Sequence, residues 1–123
     1  MNEQVQIIRL VEVVGDGLCS SSEDGDKVHA AIKLAIERGA KVTLSFKDVE
    51  DLTSAFLNSA IGRLYGEFSE EILKNSLLPT DATQDQLFAV KRAVERAKSF
   101  FADPGKHKAA MKSILGVDDE ERE

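Results

Sequence analysis

Cysteine, histidine, positive charge and long apolar runs are all scarce in this 123-residue chain, and each shortage removes a class of function. A single cysteine, Cys19, excludes an internal disulfide and fits a reducing compartment. Two histidines and one cysteine do not furnish a tetrahedral zinc set without help from carboxylates, so neither a metal nor another cofactor is expected. Cys19 with His29 is the one pairing that could act as nucleophile and base, but a small loop side chain and a surface imidazole are the simpler expectation. Gly15 and Gly17 open a G-x-G whose third glycine is replaced by Ser20, and no G-K-S/T follows, so a dinucleotide or phosphate loop is not expected. No stretch approaches the length of a membrane span. Arg9 and Glu12 interrupt the one apolar run near the start, so no secretory leader is expected and the protein reads as cytoplasmic. Lysine and arginine number 16 against 22 acidic residues, a net charge of −6. Residues 1–85 carry −7, residues 86–113 carry +5 and residues 114–123 carry −4. An acidic body argues against nucleic acid and anionic membranes as partners, and the basic run from Lys91 to Lys112 reads as the solvated face of a helix.

What is present is alternation of strand and helix patterns. The length predicts one domain over residues 1–117, followed by an acidic tail at 118–123 too poor in apolar groups to pack. Residues 4–14 are rich in β-branched side chains and predict a first strand; residues 15–25 predict a loop or a second short extended piece. Val28, Ala31, Ile32, Ala35 and Ile36 recur on one face of a predicted helix at 26–38, which Gly39 ends. Val42, Leu44 and Phe46 alternate with Thr43, Ser45 and Lys47 in a predicted strand, and Phe56, Leu57, Ala60, Ile61 and Leu64 recur at helical spacing over 54–65. Ser69 predicts a capped single turn, and residues 76–78 a short strand ended by Pro79. Thr83 with Gln86 forms a capping box for a helix to about residue 101, its inner face set by Leu87, Val90, Val94, Ala97 and Phe101. A last helix at 106–115 follows Asp103-Pro104-Gly105, so the C-terminal helices occupy 84–115.

The segment 41–65, KVTLSFKDVEDLTSAFLNSAIGRLY, resembles the STAS-like domain family of unknown function, distant kin of sulfate-transporter and anti-sigma-factor-antagonist domains. The family pattern is a V-x-L-x-F strand, a turn, then T-S-x-F-L-N-x-A-I-G-x-L-Y. The chain answers it with Val42, Leu44, Phe46, Val49, Thr53, Ser54, Phe56, Leu57, Asn58, Ala60, Ile61, Gly62, Leu64 and Tyr65. The resemblance implies an α/β fold in which a small mixed β-sheet carries helices packed on it, and it implies that Gly25 sets the turn into the first helix. It also implies a protein partner of the histidine-kinase-like ATPase kind. In anti-sigma-factor antagonists a serine at the start of the equivalent helix accepts phosphate. Here Ala55 stands at that position, Ser54 is one residue earlier, and nearby carboxylates would repel a phosphate dianion.

The expected site is therefore the acidic turn of Asp48, Glu50 and Asp51, the helix start at Thr53 and Ser54, and the strip Asn58, Gly62, Tyr65 along the same helix. In the docking reading Ser54 is also a candidate phosphosite and Tyr65 an amphipathic anchor. In the structural reading Thr53 or Ser54 caps the helix, Asn58 bonds a neighbouring loop and Gly62 lets another helix approach. The expected function is a non-enzymatic regulatory protein-interaction module, monomeric or homodimeric. The alternatives are a sensor of a nucleotide or phosphate at the same helix N-terminus and, third, an enzyme.

Overall fold

The computed structural model describes residues 4–102. Strand β1 (Val5–Arg9), helix α1 (Leu10–Val14), strand β2 (Leu18–Cys19) and helix α2 (Ser22–Glu37) lead into strand β3 (Lys41–Ser45). Strand β4 (Asp51–Leu52), helix α3 (Ser54–Ala60), a 3₁₀ helix (Gly62–Gly66), helix α4 (Glu70–Ser76), strand β5 (Leu77–Thr80) and helix α5 (Gln84–Ala102) follow. The main sheet runs β1-β3-β5, and β2 pairs with β4 beside it. Every one of these ladders is parallel, where a mixed sheet was expected. Each strand of the main sheet is separated from its neighbour by helices that return the chain to the same end, which is what parallel pairing requires.

The first strand stops five residues sooner than its composition suggests. Although Val11, Val13 and Val14 favour extended backbone, the chain turns into α1 at Leu10, which is fully buried, and Gly15 closes that helix at φ +103°. Burial of Leu10 outweighs the propensity of its neighbours. Helix α2 begins four residues earlier than expected because Ser21, not the Asp24-Gly25 pair, is its cap, accepting a hydrogen bond from the Asp24 N–H at 3.0 Å. Gly39 follows at φ +84°, as its position predicts. Ser69 starts two turns, not one, and Pro79 lies within β5, opposite Leu44, tolerated because β5 is an edge strand. The capping box is present: Thr83 N–H donates to Gln86 Oε1 at 2.9 Å and Gln86 N–H to Thr83 Oγ1 at 3.1 Å. Its helix buries Ala97 and packs Val90 and Val94 against the core as expected, adds Ala93 and Phe100 to the buried face, and leaves Leu87 exposed.

Val42, Leu44 and Phe46 pack with Ile32, Phe56, Leu57, Leu64 and Leu73 in one core. The opposite face of the sheet carries Ile7, Thr43 and Leu78 in one row, and Ile7 is 65% exposed. The predicted helix at 106–115 and the acidic tail lie outside the described residues. Among the described residues no helix is long and apolar enough to cross a membrane.

Candidate functional site

The turn after β3 forms because Phe46 stays in the core while the next residues must leave it. Asp48 takes the left-handed conformation at φ +65°, and the Val49 N–H bonds back to the Phe46 carbonyl at 3.1 Å. The carbonyl of Gly17 then receives N–H bonds from Glu50 at 2.8 Å and Asp51 at 3.1 Å, clamping the turn to the loop before β2. A Cβ on Gly17 would lie 2.7 Å from the Asp48 carbonyl oxygen, so this glycine serves a close backbone approach, not a phosphate. The side chains of Asp48, Glu50 and Asp51 remain exposed. A fourth carboxylate joins them across the carboxyl ends of the strands: Asp81, at φ +58°, accepts a hydrogen bond from the buried Ser45 hydroxyl at 2.9 Å. Nothing in the sequence around Asp81 marks it, since its place depends on β3 and β5 lying side by side.

Helix α3 opens on Thr53, not Ser54. The Thr53 hydroxyl accepts from the Phe56 N–H at 3.2 Å and donates to the Ser20 carbonyl at 2.8 Å, and the Thr53 N–H bonds to the Cys19 carbonyl at 3.1 Å. The cap is thereby committed to structure, and Ser54 is left exposed at the first helical position beside the carboxylates.

The rest of the expected strip does not hold together. Helix α3 ends at Ala60, and the 3₁₀ helix that follows has a tighter pitch, so Gly62 and Tyr65 no longer align with Ser54. Asn58 accepts a hydrogen bond from Arg96 of α5 at 3.2 Å, a helix rather than the loop expected to meet it. Gly62 is buried, with Ala97 of α5 at 3.7 Å from the position of its absent Cβ. Tyr65 packs in part against the core. Burial pushes its hydroxyl pKa up, Lys98 acts in the opposite sense, and Glu70 adds to the rise. The site thus divides into an exposed acidic rim with Thr53 and Ser54, and a covered seam with Asn58, Gly62 and Tyr65. Gly25 also leaves its expected place: it lies inside α2, buried against α3.

His29, expected at the surface, is buried between α2 and the segment after the 3₁₀ helix. Its Nε2 lies 2.7 Å from Glu67 Oε1, while Lys33 reaches the other Glu67 oxygen at 3.6 Å. Cys19 is fully buried, and its pKa is pushed up to about 11, first by burial and then by Asp16, Asp24 and Asp51. A thiol held neutral does not act as a nucleophile near neutral pH. Alkylation of native protein by iodoacetamide at about pH 8 should therefore proceed only at the rate of unfolding, and become fast in denaturant. Rapid labelling of the folded chain would show the thiol to be accessible and ionised. Because the folded thiol keeps its proton longer than the unfolded one, its contribution to stability is intact below about pH 9 and is lost as pH rises toward about 11. Among the described residues no group of three or more potential metal ligands occurs.

No curated protein and no solved structure matches the chain significantly. The family model of the STAS-like domain of unknown function matches residues 24–87, from the first turn of α2 through the start of α5 and across the whole site, and the chain belongs to that family.

Proposed function

We propose that this protein is a non-enzymatic, cytoplasmic regulatory module that docks a protein partner through the acidic rim and the start of α3. The supporting observation is the division of labour at the helix start. Thr53 holds the cap, so Ser54 is free of structural duty and stands exposed beside Asp48, Glu50 and Asp51. Those carboxylates, with Asp81, suit a partner that presents basic side chains, such as a histidine-kinase-like ATPase. The same negative charge would resist a nucleotide or phosphate at this helix end. A phosphate on Ser54 would add to a surface that is already acidic and weaken an attraction to a basic partner, which makes Ser54 a site where modification would release that partner.

Tagged full-length protein should recover a stoichiometric partner from its native cell, and Ser54→Trp should reduce that recovery while melting normally. Disrupting a residue at the centre of such an interface costs at least about 2 kcal/mol, roughly thirtyfold in affinity. Glu50→Lys should slow association and flatten its salt dependence more than it speeds dissociation. Unchanged recovery by both folded variants would remove this surface as the docking site.

A further inference from the structure

Between the start of α2, helix α3, the 3₁₀ helix and α5 lies a cavity of about 550 Å³, a size typical of small-ligand sites. Its walls are mostly apolar, with Ala55 from α3, Gly62 from the 3₁₀ helix, and Ala97, Phe100 and Phe101 from α5, the two rings meeting edge to face at 4.7 Å. Gly62 lines this space as well as the helix seam. The charged groups around it are unevenly matched. Asp26 is bridged to Arg63 at 2.7 Å, and Glu67 is held by His29 and Lys33. Arg96 differs, because among the described residues its guanidinium meets only the neutral amide oxygen of Asn58 and no carboxylate. Ser59 provides a second, independent sign. It lines the cavity at 7% exposure, yet among the described residues its hydroxyl has no hydrogen-bond partner. A buried hydroxyl without a partner is costly and uncommon in a folded protein unless something else satisfies it.

We propose that this cavity binds a small organic carboxylate with an apolar body, its charge on Arg96 and its polar end bonded to Ser59. An unmatched guanidinium suits a carboxylate, which it can grip with two parallel bonds. A dianion is disfavoured, because Asp26 and Glu67 border the same space. The apolar body would lie against Ala97, Phe100 and Phe101. The site adjoins the docking rim at Ala55 but is inferred independently of that reading.

The test is an amide-resolved NMR titration of full-length protein with indole-3-acetate and with octanoate, beside the neutral indole-3-acetamide. Both carboxylates should bind saturably with a dissociation constant of about 1 mM or tighter, an ordinary affinity for probes of this size, and the better of the two distinguishes a flat from a flexible body. Shifts should centre on Ala55, Ser59 and Gly62. The amide should bind at least about tenfold more weakly, and Arg96→Met should cost the carboxylates about tenfold or more while leaving the amide unaffected. Ser59→Ala should weaken the carboxylates severalfold and leave the melting temperature unchanged or raised, since it removes an unsatisfied hydroxyl. Equal affinity for acid and amide, full affinity in folded Arg96→Met, or a lower melting temperature in Ser59→Ala would each overturn the proposal. So would shifts confined to the exposed sheet face around Ile7 and Leu78, or no saturation by about 10 mM.

Discussion

Phe56→Ala should lower the unfolding free energy by about 3–5 kcal/mol, the usual cost of removing a buried aromatic ring. Phe56 is 0% exposed and sits in the first turn of α3, where it packs in the same cluster as Leu44 of the sheet and Ile32 of α2. It therefore shares one cluster with the sheet and with α2, so alanine would remove packing from several elements at once. A small domain has about 5–15 kcal/mol of stability in total, so the variant should be marginal at 37 °C. Urea unfolding followed by circular dichroism measures the loss through the shift in midpoint at constant slope. A decrease below about 1 kcal/mol would mean that the ring is not part of the core. Phe56→Leu keeps most of the volume and should cost only about 1–2 kcal/mol.

Gly25→Ala should be the second most damaging change, although it enlarges the chain by a single methyl group. The new Cβ would lie 2.6 Å from the Phe56 carbonyl oxygen and 2.7 Å from the Ser59 Cβ, and neither atom belongs to a flexible side-chain end. Helices α2 and α3 would have to separate, and the damage would spread through the Phe56 packing. We expect a net loss of about 2 kcal/mol or more, even after the roughly 1 kcal/mol by which alanine is normally preferred to glycine inside a helix. Gly62→Ala is the control, because its nearest neighbour, Ala97, would be at 3.7 Å, an ordinary van der Waals distance. That change should be neutral or stabilising by about 0.5–1 kcal/mol, chiefly through the unfolded chain. Thermal melts of the two variants side by side decide the matter, and a stabilised Gly25→Ala protein would show that α2 and α3 do not cross at this glycine.

Much of the fold was legible because the signals were local. The alternation of Val42, Leu44 and Phe46 and the spacing of Phe56, Leu57 and Ala60 are each the period of a single element meeting one core, and all six are buried. The reciprocal bonds of Thr83 and Gln86 were readable for the same reason, since both partners lie within one turn. The end of β1 was not readable, because the valines of α1 favour a strand and only the pocket that buries Leu10 opposes them. The docking strip failed at Gly62 for a related reason: helical spacing was extended from α3 into a 3₁₀ helix that packs beside Ala97 of α5.

The sequence by itself determined the α/β class, the core positions of β3 and α3, the acidic character of the turn and membership of the STAS-like family. All of these rest on residue type and short-range spacing. Only the tertiary structure decided that the sheet is parallel, that Thr53 rather than Ser54 is the cap, and that Asp81 stands with the acidic turn. It alone also turned Asn58 toward Arg96 and left the Ser59 hydroxyl at a cavity wall with no hydrogen-bond partner among the described residues. Those outcomes depend on pairs such as Ser45 with Asp81 and Asn58 with Arg96, which are 36 and 38 residues apart. No period or cap links residues at that distance. They meet because burying Phe56, Leu44 and Ile32 in one core brings their helices and strands together, and the polar groups carried along must then find partners or remain without them.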